Sequence, residues 1–201
     1  MEEWVGLKWH DYVTRQAMGE FAEYAVHLKD EARTLGVLFR AMGGDPALSL
    51  VTAEPRHFQI RRKFLQKLAG THRKFELAWR DEESLRLPDR LALFPSRKVN
   101  RDLYLWLAAL ASRGEIQIHN WLEGNQAMVQ NVLAQWPGLE PMYQRLVKHT
   151  LQWRPKPESL SGEEARREQA IRQALIHPGS VTDLPEALTD PWPVVLWLYP
   201  V

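Results

Sequence analysis

Seven histidines, His10, His27, His57, His72, His119, His149 and His177, are the natural candidates for metal ligation or proton transfer. No two stand four apart, so the His-x-x-x-His spacing that sets two imidazoles on one helix face does not occur. A metal site built from distant histidines stays open, against the plainer reading of surface or core-packed rings. Asp81, Glu82 and Glu83 are consecutive carboxylates. General acid–base work needs two carboxylates held apart across a pocket, and three adjacent acids read more simply as a solvated turn. The chain has no cysteine, which excludes disulfides, thiol nucleophiles and thiolate-bound metals. It has no Gly-x-x-x-x-Gly-Lys-Ser/Thr loop, no Gly-x-Gly-x-x-Gly turn and no Gly-x-Ser-x-Gly elbow. The residues support no enzymatic activity and call for no cofactor. A hydrolase or metal enzyme of unfamiliar type is the alternative they leave.

The basic segment is the stronger signal. Arg56, Arg61, Arg62, Lys63, Lys67, Arg73 and Lys74 fall within one stretch that contains no acid. Such a cluster can bind nucleic-acid phosphate or an acidic protein face. The plainer reading is the solvated side of an amphipathic helix whose charge is balanced by acids elsewhere. A protein partner outranks nucleic acid, because no recognised nucleic-acid motif surrounds the cluster. The near balance of 26 Lys+Arg against 25 Asp+Glu points the same way.

Elements must position these residues, and most of the sequence reads as helix. Helical spacing runs through Val5, Trp9, Tyr12, Val13 and Ala17, then from Phe21 to Met42, with a stop at Gly43-Gly44-Asp45-Pro46. A strand-like run over Leu48, Leu50 and Thr52 precedes the basic helix, whose apolar face is Ile60, Phe64, Leu65 and Leu68. Phe75, Leu77 and Trp79 alternate with polar or small residues as a half-buried strand should, and Leu85–Leu87 can return antiparallel. Leu91, Leu93 and Phe94 offer a further edge. Asn100 is the expected N-cap of a helix that is apolar on all sides from Leu103 to Ala111, with Gly114 as its stop. Further helices follow over Trp121–Trp136 and Met142–Leu151. Ser161 and Glu164 form a capping box for a polar helix toward Ile176, ended by Pro178-Gly179.

The expectation is therefore an α+β fold, predominantly helical, with about seven helices and a small antiparallel sheet in the middle of the chain. Its layout is a helical core with the sheet over 1–153, a Pro-rich connector over 154–161, and a polar helix with a strand-like end over 162–201, packed on the core. The nine tryptophans, Trp4, Trp9, Trp79, Trp106, Trp121, Trp136, Trp153, Trp192 and Trp197, sit mostly at core-type positions. Trp192 and Trp197, in a proline-rich tail, look like rings in need of a surface from elsewhere.

At 201 residues the chain is long enough for one domain with a real core. Its longest apolar run, Leu103 to Ala111, falls short of the ~18–20 residues a membrane span requires. Met1-Glu2-Glu3-Trp4 lacks the basic and apolar regions of a signal peptide. These features point to a soluble, cytoplasmic protein.

Several phrases are similar to the NorD/CbbO family. They are Met1–Gly6 with Trp9-His10, Leu35–Pro46, Leu77–Glu83, Leu85–Pro88, Asn100–Ala108 and the ending Pro191–Pro200. The resemblance implies an N-terminal helical region of a protein that also carries a von Willebrand factor A domain. It further implies a non-catalytic adaptor for a MoxR-class AAA+ ATPase hexamer of the CbbQ or NorQ type. The target would be rubisco for CbbO-type members, whose inhibited form is reactivated, or nitric oxide reductase for NorD-type members, during its maturation. Rubisco is taken narrowly ahead, although the shared phrases do not separate the two targets. The Asp-x-Ser-x-Ser metal signature of the von Willebrand domain is absent from these residues, so no metal role carries over. What remains is contact with the ATPase ring, for which the seven basic residues of 56–74 are the candidates. The resemblance also implies more protein beyond Tyr199; the alternative is a C-terminal strand docked on the small sheet.

Overall fold

The computed structural model describes residues 21–52, 77–80, 84–113, 121–160, 162–182 and 194–199. The elements among them, in chain order, are β1 (Val26–His27), α1 (Leu28–Ala41), β2 (Ser49–Thr52), β3 (Trp79–Arg80), β4 (Ser84–Leu87) and β5 (Arg90–Leu91). After them come α2 (Arg97–Ala111), α3 (Trp121–Gln135), α4 (Glu140–Trp153) and α5 (Gly162–Ile176). Short 3-10 turns stand at Ala22–Tyr24, Pro137–Leu139 and Pro157–Ser159. The described residues thus hold five α-helices rather than about seven. The other two expected helices, over Val5–Ala17 and around Ile60–Leu68, lie outside them.

The centre is α2. From Leu103 to Ala111 every side chain except Leu105 is buried, as an all-round apolar helix must be. Its N-cap is Ser96, whose Oγ accepts from Val99 N at 3.4 Å, not the expected Asn100. Asn100 is buried one turn further in. Its Oδ1 accepts from Leu93 N and Phe94 N, and its Nδ2 donates to Tyr24 O and Phe94 O, all within 2.9–3.0 Å. That uses the full hydrogen-bonding capacity of an amide side chain, at a place where two non-helical segments need partners. Ser96, one residue past Pro95, takes the cap because the chain is still extended there (φ −162°, ψ 117°).

α1 starts later than its apolar spacing suggests. The chain is extended at Ala25 and pairs as β1, Val26 with Leu91 and His27 with Arg90, before the helix begins. Its C-terminus is the expected stop. Gly43, at φ +89°, donates to Arg40 O, and Gly44 donates to Phe39 O, the two bonds of a Schellman motif. Gly44 is tied to the site by space as well, since an added Cβ there would run into the Phe39 ring.

The small sheet differs from the antiparallel one expected. β3 and β4 do pair antiparallel, Trp79 with Arg86 and Arg80 with Leu85. β2, however, lies parallel to β4 on its other side, Ser49 with Ser84 through Thr52 with Leu87. The sheet is therefore mixed, and β1 with β5 forms a separate antiparallel pair. A parallel neighbour needs a long connection, and β2 and β4 are far enough apart in sequence to allow one, which adjacency in sequence does not reveal.

One apolar cluster joins α1, β4, α2, α3, α4, α5 and residues 194–198, from Val26 to Leu198. The C-terminal run is not a strand. Val194–Leu198 makes a turn, Trp197 N to Val194 O at 3.1 Å, and only Tyr199 reaches the sheet, by an isolated parallel bridge to Trp79. A run buried on all sides carries no alternation, so periodicity cannot separate strand from turn.

Candidate functional site

The basic residues Arg56, Arg61, Arg62, Lys63, Lys67, Arg73 and Lys74 lie outside the described residues, as do Asp81, Glu82, Glu83, Gly114 and Ser161. Among the histidines, His27 in β1, His149 in α4 and His177 just past α5 are described. Among the described residues no three His, Asp or Glu side chains gather as a metal site would require.

What the fold does bring together is a seat for its own C-terminal run. Trp106 Nε1 on α2 donates to Leu196 O at 3.0 Å, and Trp121 Nε1 at the start of α3 donates to Leu198 O at 2.9 Å. Asn125, one turn along α3, donates through Nδ2 to Leu198 O at 3.0 Å and accepts at Oδ1 from Leu198 N at 2.9 Å. Tyr199 N donates to Ala78 O, while the Tyr199 hydroxyl accepts from Val194 N. The rings close round this frame: Trp121 meets Trp197 edge-on at 5.1 Å and Tyr199 at 5.1 Å. Trp197, which looked in need of an outside surface, is 1% exposed. The chain supplies that surface itself; Trp192 lies outside the described residues.

The next residue on α3 repeats the device. Gln126, also buried, accepts at Oε1 from Gly179 N and Val181 N, and donates through Nε2 to Val181 O and Leu122 O. Two adjacent amide side chains thus hold two separate stretches of irregular backbone. Sequence reasoning missed both, although a polar Asn-Gln pair inside an apolar helical stripe is a readable sign of buried amides in search of partners.

Charged groups are spent in the same way. Asp102 on α2 takes Lys98 at 3.0 Å and the Arg145 guanidinium of α4 at 2.6 Å. Glu168 on α5 is buried against Arg154, which donates from Nε and Nη2 to its two oxygens at 2.8 and 2.7 Å. Arg172 adds a longer contact to Glu168 at 3.7 Å. Tyr143 is pushed well above the ordinary tyrosine range by burial first and by Glu140 second, and its hydroxyl donates to Leu175 O. His149, ring to ring with Phe94, is held below the ordinary histidine range by burial, then by Lys148 and Arg145. These groups bind backbone and each other. The arrangement positions chain segments; among the described residues it does not set a nucleophile beside a base.

Fold and site together define a helical scaffold whose buried amides and ion pairs organise irregular segments of its own chain. No family model matches the chain, and no solved structure matches it. Curated relatives do. It is 44% identical over 200 residues to Protein NorD of Stutzerimonas stutzeri, a match covering 100% of this chain and 32% of that protein. An uncharacterized protein of Pseudomonas aeruginosa is 43% identical over the same shares. Protein NorD of Brucella abortus (strain 2308) is 33% identical over 168 residues, 78% of this chain and 26% of that protein. The chain belongs to the NorD family. It spans about a third of the length of the curated relatives it matches most fully.

Proposed function

We propose that this chain is a region of a NorD-type accessory protein, a non-catalytic adaptor that helps a MoxR-class AAA+ ATPase hexamer act on nitric oxide reductase during its maturation. The observation that carries this reading is the 44% identity, across the whole chain, to a protein bearing the NorD name. The Brucella relative bears the same name. That naming supports nitric oxide reductase, the alternative target, over the rubisco target taken narrowly ahead from the sequence. An adaptor is also supported by the buried Asn100, Asn125, Gln126 and Arg154–Glu168 groups, which hold the chain in shape and suit a surface that is recognised rather than a pocket that reacts.

Among the described residues, no helix is long and apolar enough to cross a membrane. On this reading the region works in the cytoplasm, where an ATPase finds its nucleotide. The basic residues of 56–74 remain the proposed ring contact, since a run of cations without acids steers association with an acidic face.

The test is a pull-down of the chain with the MoxR-class ATPase of its own organism, paired with reductase activity in a strain lacking the full-length protein. Binding at low salt and loss of reductase activity are the expected results. A normal reductase in the deletion strain sinks the proposed target. No binding at low salt sinks the ring contact. R61E/R62E/K67E should weaken binding; unchanged affinity removes the basic segment from the contact.

A further inference from the structure

α1 carries an unusual outer face. Its inner face is locked in the core by Leu28, Leu35 and Phe39. On the outside, Lys29, Arg33 and Arg40 are all exposed, at spacings of four and seven residues that align them along one ridge. At 1.5 Å per residue the ridge is roughly 16 Å long. Arg40 lies back over Gly36, its guanidinium nitrogens 3.6 Å from where a Cβ would stand, so its charge sits toward Arg33. Beside the ridge Val37 is 56% exposed, the most exposed of the large apolar side chains among the described residues.

The alignment, more than the lack of partners, sets this ridge apart. No hydrogen bond or ion pair engages the side chains of Lys29, Arg33 or Arg40. Of the other described cations, Lys98 and Arg145 pair with Asp102, Arg101 with Glu31, and Arg154 and Arg172 with Glu168, while the unpaired Arg90, Lys148, Lys156 and Arg166 are spread over several segments. The one acid of α1 that makes an ion pair, Glu31, is taken by Arg101, and Asp30 lies to one side. Like charges one turn apart weaken a helix, and Lys29 also sits at the positive end of its dipole. The arrangement costs the isolated chain stability while presenting rigid, preorganised cations around an apolar point, which lowers the entropic cost of binding.

We propose that the Lys29–Arg33–Arg40 ridge, with Val37, is a docking site for an acidic amphipathic helix of a partner protein. Charge complementarity selects the acidic partner, the exposed valine selects one that carries an apolar side chain among its acids, and the length of the ridge fits about three helical turns. The ridge uses none of the residues of the 56–74 segment, and the proposal does not depend on which protein supplies the helix.

The test uses the full chain and a fluorescent sixteen-residue helix-forming peptide with glutamates one turn apart flanking a central leucine. Saturable binding that weakens with salt is expected. K29E/R33E/R40E should lose roughly tenfold or more in affinity, as removal and reversal of three exposed charge pairs implies, and Val37→Asp should also weaken binding. Neither variant should melt early, because these side chains bond to nothing in the fold; if the triple variant does melt early, Lys29→Gln and Arg33→Gln read the same loss on a smaller scale. Absence of binding to the wild-type chain overturns the proposal, as does equal binding by the triple variant. Loss of binding in R61E/R62E/K67E with the α1 variants unaffected assigns the peptide to other cations. Tighter binding of duplex DNA at the same ridge makes it a nucleic-acid surface instead.

Discussion

Asn125 holds Leu198 by both of its backbone polar groups, accepting from Leu198 N at 2.9 Å and donating to Leu198 O at 3.0 Å. A side-chain amide here does the work of a neighbouring strand, at a point where the chain is buried and has no ladder of its own. The same Nδ2 also donates to Trp121 O at 2.9 Å, which ties the seat to the start of α3.

Asn125→Ala strips partners from a buried N–H and C=O and should cost about 2–4 kcal/mol. Urea denaturation checks this, with the midpoint expected to fall. Asn125→Asp keeps the acceptor but sets a carboxylate against Leu198 O, so it should be at least as damaging at neutral pH and partly relieved in acid. Equal stability of the two variants across pH would contradict the assigned bond directions.

Trp106 separates packing from hydrogen bonding. Trp106→Phe retains most of the buried ring but leaves Leu196 O unmatched, for a loss of roughly 1–3 kcal/mol. Trp106→Ala adds a large cavity beside Tyr143, whose ring centroid is 4.7 Å away, and should cost about 3–5 kcal/mol. Thermal melts of the two variants should rank in that order.

Arg154 and Glu168 form a buried pair that joins the end of α4 to α5. Removing one member alone, as in Arg154→Met, should destabilise by about 3–5 kcal/mol, because the other charge stays buried. Arg154→Met with Glu168→Leu should recover much of that loss. A double-mutant cycle measures it; additive losses would show that the two side chains are not coupled.

His149 gives the fold a pH dependence of definite sign. Burial, with Lys148 and Arg145, holds its folded pKa below the unfolded value of 6.5. Above pH 6.5 the ring is neutral in both states and stability is unaffected. As pH falls below 6.5 the unfolded chain takes up the proton first, so stability declines until the folded ring also titrates. Melting temperature followed from pH 7.5 to 5 should show this decline, and His149→Gln should flatten it.

Two glycines in α1 and its stop should respond in opposite directions. An added Cβ at Gly36 meets only the Arg40 guanidinium at ordinary contact distance, so Gly36→Ala should stabilise by about 0.5–1 kcal/mol through helix propensity. Gly44→Ala drives a methyl into the Phe39 ring and should destabilise. Calorimetric melts of the pair test both signs.

Much of the fold was legible because periodicity and punctuation are local. Leu103–Ala111 announces a buried helix by having no polar side, and Gly43-Gly44 announces a stop by the backbone freedom a Schellman motif needs. Pro137-Gly138 likewise separates α3 from α4. Asn100 misled because an asparagine near a helix start satisfies the local rule for a cap; which backbone it actually bonds depends on Tyr24, distant in sequence. The parallel seat of β2 on β4 and the turn at Val194–Leu198 were hidden for a related reason. Pairing direction and the shape of a wholly buried run are set by what arrives from elsewhere in the chain.

The candidate site divides along the same line. Residue order alone determined the predominantly helical class, the existence of the five described helices though not where α1 and α2 begin, the NorD likeness and the charge of the 56–74 segment. Only the tertiary structure decided that Asn125 and Gln126 clamp Leu198 and the Gly179–Val181 stretch, that Trp197 is a core ring, and that Lys29, Arg33 and Arg40 stand unpaired beside an exposed Val37. Helix and turn preferences are written within a few residues, so sequence carries them. Whether a polar group is satisfied depends on which distant backbone or opposite charge the packing brings within about 3 Å, and local spacing does not contain that.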